Sequence, residues 1–107
     1  MINPDEVYER LYKAGTDWAD KDEAWRQLDG ASKSILSQIA IKYRPGCKSM
    51  TEAETKALAD TEYMAFINNV SKAKGDANRA RVKYDSANAW WEAMRTQAAN
   101  LRNEMKL

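Results

Sequence analysis

From Tyr63 onward, residues seven apart read Tyr63, Val70, Ala77, Tyr84, Trp91, Ala98 and Met105, and the positions three further on read Phe66, Ala73, Ala80, Ala87, Met94 and Leu101. All thirteen a and d places of six heptads are apolar or aromatic, which turns one stripe of a long helix toward a partner helix. The partner lies upstream. At Val7, Leu11, Ala14, Trp18, Lys21, Trp25, Leu28, Ser32, Ile35, Ile39 and Lys42 a weaker version of the stripe runs, apolar at eight of eleven places. A connection of under twenty residues forbids a parallel arrangement, so the two helices are expected to pack antiparallel.

The ends of these helices are written in cap chemistry. Asn3-Pro4-Asp5-Glu6 supplies a capping side chain, a proline at the first helical position and two acids in the first turn. Helical composition then continues to about Tyr43, where Arg44-Pro45-Gly46 stops it. Gly15 and Gly30 lie inside this span, each costing roughly 1 kcal/mol against alanine, and either is a candidate kink. Thr51-Glu52-Ala53-Glu54 fits a capping box, and Asp60-Thr61 offers a further start. The expected fold is all-α: a single domain over 1–107, forming a long antiparallel coiled-coil helical hairpin of about 4–43 and 62–105, with a short helix at about 52–59 in the connection.

Register can be read by matching large residues with small ones. If facing numbers total about 105, Trp18 meets Ala87, Trp25 meets Ala80, Ala14 meets Trp91 and Ile39 meets Phe66. The flanks then pair Asp22 with Arg81, Asp29 with Lys74, Leu36 with Ile67 and Asp17 with Lys83. This register buries Trp25 and Trp91 and leaves Trp90 on the seam's edge near Arg10. There Trp90 is either a cover for the core, with some cation–π character, or an exposed anchor for a partner.

Chemistry is hard to place on this chain. It has no histidine, one cysteine and scattered carboxylates, so neither catalytic residues, a metal site nor a cofactor is expected. Gly46-Cys47-Lys48-Ser49 lacks the adjacent Gly-Lys and the upstream glycine of a phosphate-binding loop, and it follows a helix rather than a strand. Cys47 cannot form an internal disulfide; it is either a plain exposed thiol or one activated by Arg44 and Lys48. A single cysteine, an acidic N-terminus and no long apolar run point to a cytoplasmic protein with no membrane partner.

Net charge is +1, but it is unevenly spread. Residues 72–83 carry five bases against Asp76, residues 5–29 carry eight acids against four bases, and residues 30–50 carry Lys33, Lys42, Arg44 and Lys48 with no acid. A hairpin lays the first two segments side by side and leaves the connection end as the basic pole. Apolar residues also lie off the seam: Tyr8 and Tyr12, the strip Leu36, Ala40 and Tyr43, and Ile41 and Met64. Such a surplus calls for a third layer, supplied by the 52–59 helix or by a second copy of the chain.

The stretch RARVKYDSANAWWEAMRTQAANLRNEMKL, with TEAETKALAD ahead of it, resembles small α-helical proteins encoded by tailed bacteriophages. The likeness lies in the Arg-x-x-x-Tyr-Asp lead-in to Ala-Trp-Trp-Glu-Ala and the Arg-rich tail, within residues 49–107. It implies an accessory of phage DNA metabolism or a host-directed binding protein acting in the host cytoplasm, and it carries no catalytic residues across. The leading expectation is a non-enzymatic interaction protein that self-associates, as a dimer or larger bundle, and binds a phage or host protein through Trp90, Tyr8, Tyr12, Leu36 and Tyr43. The alternative is an accessory nucleic-acid binder that contacts phosphates through Lys42, Arg44, Lys48, Arg79 and Lys83.

Overall fold

A computed structural model of the protein describes residues 3–106. Over these residues the chain forms three helices, α1 (Pro4–Tyr43), α2 (Met50–Leu58) and α3 (Thr61–Lys106), with a 3-10 turn at Arg44–Gly46 after α1. α1 and α3 lie antiparallel along a rod of 83 × 21 × 16 Å. At the connection Lys42 Nζ lies 3.7 Å from Glu62 Oε2, and at the far, open end Val7 and Trp90 line one cavity. This is the hairpin that the two stripes predict.

Each helix starts on a side-chain cap. Asn3 Oδ1 accepts from the Asp5 amide at 2.9 Å, with Pro4 at the first helical position as expected. α2 departs from the expected start at Thr51, because Ser49 is its cap. The Ser49 hydroxyl accepts from the Glu52 amide at 3.2 Å, and Glu52 Oε2 accepts from the Lys48 amide at 2.9 Å. Two overlapping capping sequences compete here, and the earlier one lengthens the helix while its Ala53 and Ala57 still turn inward. α3 begins where Asp60 Oδ1 accepts from the Glu62 and Tyr63 amides at 2.8 and 3.3 Å.

α2 folds back over the end of α1. Ile39, Ala40, Ala53 and Ala57 form one buried cluster, with Ile35, Leu36, Tyr43, Cys47 and Tyr63 packed around it. Three of these four buried residues are alanines, so the α1–α2 contact is a close approach of backbones. The third layer over the connection is therefore the short helix itself.

Along the α3 stripe, every a and d position from Tyr63 to Met94 is buried or half-buried, as the heptads predict. The α1 stripe needs a correction. Lys21 and Lys42 are exposed, and the seam passes instead through Asp22 and Tyr43. Between Trp18 and Trp25 the half-buried position is Asp22 rather than Lys21, and the original spacing resumes at Trp25 and Leu28.

The facing residues also differ from those that matching large with small residues suggests. Trp18 packs on Tyr84, ring centroids 5.7 Å apart at 31°, rather than on Ala87, which is roughly one turn away. Ala14 and Ala87 border the same groove. Gly15 explains the shift: a Cβ there would lie 3.3 Å from Tyr84 Cε2, so the missing side chain is the space the tyrosine ring uses. α1 runs unbroken through both Gly15 and Gly30, with no interruption at either.

The tryptophans correct a second expectation. Trp18, Trp25 and Trp91 are all half-buried, and the buried residues are the smaller Val7, Ile39, Ala40, Ala53, Ala57, Val70, Ala77 and Ala80. One facing helix covers only one side of an indole, so a two-helix seam buries its alanines beneath rings whose outer edges stay wet. The Trp25 Nε1–H accordingly finds a partner, donating to Asp22 Oδ1 at 3.0 Å.

Candidate interaction surface

The expected partner-binding residues separate into two groups. At the connection end Leu36 and Tyr43 pack against the cluster beneath α2, so the surface they were expected to offer is already taken within the chain. Tyr43 has a second role there: its hydroxyl donates to Asp60 Oδ2 at 2.5 Å, tying the end of α1 to the cap of α3. That hydrogen bond holds the Asp60 carboxyl below its ordinary pKa, helped by the two capping amides, and pushes the Tyr43 phenol up.

At the open end the expected residues do lie on the surface. Tyr8 and Tyr12 are 69% and 63% exposed and stack on each other, ring centroids 6.1 Å apart at 20°. Trp90 is 49% exposed and forms one wall of a cavity completed by Val7, Arg10, Leu11 and Ala87. It thus stands beside Arg10 at the seam's edge, the position read for it.

These residues belong to two opposite faces of the hairpin. One face carries Arg10, Lys13, Asp17, Lys83, Ala87 and Trp90; the other carries Tyr8, Tyr12, Gly15, Thr16 and Tyr84. The division follows from the wheel of a helix, where residues flanking the seam on its two sides never share a face.

The stripe count did not mark the last turns of α3 as surface. Ala98, Leu101 and Met105 occupy seam positions but are exposed, Leu101 at 54% and Met105 at 85%. α1 starts at Pro4 and its Val7 stands beside Trp90, so no α1 residue faces the end of α3. The stretch lines a shallow cavity of about 320 Å³ with Trp91, Met94, Ala98 and Leu101 on its wall. The Asn3 cap was the signal that could have shown it, once combined with the true register.

The basic residues read as phosphate contacts do not converge. Lys42, Arg44 and Lys48 lie at the connection end, whereas Arg79 and Lys83 lie midway along α3, roughly 30 Å away at 1.5 Å per residue. Several are already engaged: Lys42 with Glu62, Arg44 Nη1 with the Cys47 carbonyl at 2.8 Å, and Arg79 with Asp76. Glu52, Asp60 and Glu62 also border the connection, which offsets the basic pole read from residues 30–50. Lys83 shares a groove with Arg10, Lys13 and Asp17.

Of the flank neighbours expected to fix register, Asp17 and Lys83 border one groove. Arg81 lies close enough to add to the lowering of the Asp22 pKa, behind the larger effects of the Arg26 and Trp25 hydrogen bonds. Lys74 Nζ sits 5.2 Å from the Trp25 ring centroid, with the Arg26 guanidinium at 5.1 Å, so Lys74 meets an aromatic face rather than Asp29. Asp17 pairs with Lys21 at 3.1 Å. Among the described residues, Lys42–Glu62 is the one ion pair within 4.0 Å that joins α1 to α3.

Among the described residues no group of three or more His, Cys, Asp or Glu side chains could hold a metal ion. No described helix is long and apolar enough to cross a membrane. No family model, no curated protein and no solved structure matches the chain.

Proposed function

We propose that this chain is a non-enzymatic helical interaction protein that self-associates and binds a protein partner at the open end of the hairpin, with Trp90 as the anchor. One observation carries the reading. Trp90, 49% exposed at one end of a rod, walls a cavity of about 220 Å³ with Val7, Arg10, Leu11 and Ala87, and Tyr8 and Tyr12 stand exposed on the opposite face of the same end. Tryptophan and tyrosine at the edge of an apolar pocket are the side chains that dominate binding energy in interfaces. The resemblance of residues 49–107 to tailed-phage proteins supports a phage or host protein as the partner, and the host cytoplasm as the place.

The test is binding measured with the purified chain against candidate phage and host proteins, with Trp90→Ala beside the parent. The reading expects the substitution to weaken binding at least tenfold, about 1.4 kcal/mol, with helicity unchanged. Equal binding by the two would remove Trp90 as the anchor.

A second reading, accessory nucleic-acid binding, is favoured by the groove that Lys83 shares with Arg10 and Lys13. Titration with single-stranded and duplex DNA at 50 and 200 mM salt separates the two. Phosphate binding through several cations falls steeply over that range, whereas docking of an apolar anchor does not.

A further inference from the structure

The last turns of α3 continue a coiled-coil seam with no described helix opposite. Ala98 and Met105 extend the column that begins with Tyr84 and Trp91, and Arg95 and Arg102 flank that column on its outer side. On the same face of the hairpin, α1 presents Tyr8 and Tyr12, and its helical geometry sets Asp5 and Glu9 along the outer border of that strip. The open end therefore holds two apolar ridges that no described residue covers. One is bordered by arginines and the other by acids.

We infer that these ridges are the two halves of one self-complementary interface: in a two-fold dimer joined at the open ends, the end of α3 from each copy lies along Tyr8 and Tyr12 of the other. The inference rests on the self-association proposed above and gives it a place. Charge selects this arrangement. Residues 95–106 carry Arg95, Arg102 and Lys106 against Glu104, while the first turns of α1 carry Asp5, Glu6 and Glu9. A contact of the two α3 ends with each other alone would instead set Arg95 of one copy against Arg102 of the other, a like-charge pair. Direction also fits, because an α3 end that passes its own Pro4 runs parallel to the second copy's α1. Leu101 and Met105 are then spaced four apart, like Tyr8 and Tyr12, so side chains one turn apart meet side chains one turn apart.

The size is adequate. Each aromatic ring buries on the order of 150–250 Å², and a two-fold axis makes every contact twice. With Tyr8 and Tyr12 as exposed as they are, the rings, the α3 ridge and their flanks reach the lower part of the range for specific interfaces, on the order of 1,200 Å² in total.

A charge-reversal exchange tests the arrangement, read by sedimentation equilibrium on the 107-residue chain with far-UV helicity as the folding control. Arg95→Glu with Arg102→Glu places acid against acid in its homodimer. Asp5→Lys with Glu9→Lys places base against base. Each variant alone is expected to dimerise at least tenfold more weakly than the parent, and an equimolar mixture to recover heterodimers at near-parental affinity, because both contacts of the mixed pair are then of opposite charge. Leu101→Glu, on a side chain that touches no part of α1, is expected to weaken the dimer without loss of helix. Homodimers weakened without recovery on mixing would overturn the inference. A dimer indifferent to all three variants but broken by Leu58→Glu or Met64→Glu would leave self-association standing and move it to the connection end. A parent chain that is monomeric at every concentration would overturn both.

Discussion

The two glycines inside α1 predict opposite behaviour from one substitution. A Cβ at Gly30 would have no neighbour within 4 Å, so Gly30→Ala should return the full helical preference of alanine, about 0.8–1 kcal/mol. For a domain of this size that is a rise of roughly 4–8 °C in melting temperature. At Gly15 the same Cβ would meet the Tyr84 ring at 3.3 Å, and that ring is already tilted against Trp18 at 5.7 Å. The tyrosine must give by a few tenths of an ångström against an indole. Overpacking costs about 1–3 kcal/mol, and the half-buried site argues for the low end, so the propensity gain is cancelled and Gly15→Ala comes out near zero or destabilising. The two variants should differ by about 1 kcal/mol or more. Urea unfolding at one fixed protein concentration, compared at constant slope, reads this difference. In a Tyr84→Ala background the steric opponent is gone, and Gly15→Ala should stabilise as Gly30→Ala does, a coupling of about 1 kcal/mol. Equal gains at both glycines in the parent chain would refute the argument that Gly15 sets the register by admitting Tyr84.

Trp25→Ala should cost about 1.5–3 kcal/mol in chemical denaturation, below the usual 3–5 for a buried large-to-small change, because Trp25 is half-buried and its ring also faces Arg26 and Lys74. Lys33→Ala on the outer face should stay within about 0.5 kcal/mol of the parent. The Asp60 carboxyl is held below its ordinary pKa, so its contribution is present above the usual carboxylate range and is lost as pH falls through its folded-state value. The Tyr43 phenol is raised, so its share is present below the usual phenol range and is lost as pH climbs through the folded value. Tyr43→Phe should therefore weaken both the acid and the alkaline dependence of the melting temperature, and an unchanged profile would dissolve the link between α1 and the α3 cap.

Much of this architecture was legible because it is local. Caps at Asn3 and Asp60, the stop at Pro45-Gly46 and the heptads of α3 from Tyr63 to Met94 each act within a turn or two, and each stands where the residues put it. The strength of the heptad pattern also fixed the pairing of two long helices, since so short a connection allows only one direction. α2 shows where local reading stops: Ser49 and Thr51 are both competent caps with a glutamate three residues on, and nothing within the segment ranks them.

What the tertiary structure decided is how the two stripes meet. Lys21 and Lys42 read in the sequence as two polar interruptions of the stripe, and only a partner helix shows that Asp22 and Tyr43 take the seam instead. Gly15 reads as a cost to α1 until Tyr84 fills the space beside it. Leu36 and Tyr43 read as surface until α2 folds over them, and the end of α3 reads as core until α1 stops at Pro4. In each case the residue types permit either outcome. Burial belongs to the pair of surfaces in contact, and a stripe along one helix carries no record of where the other helix begins.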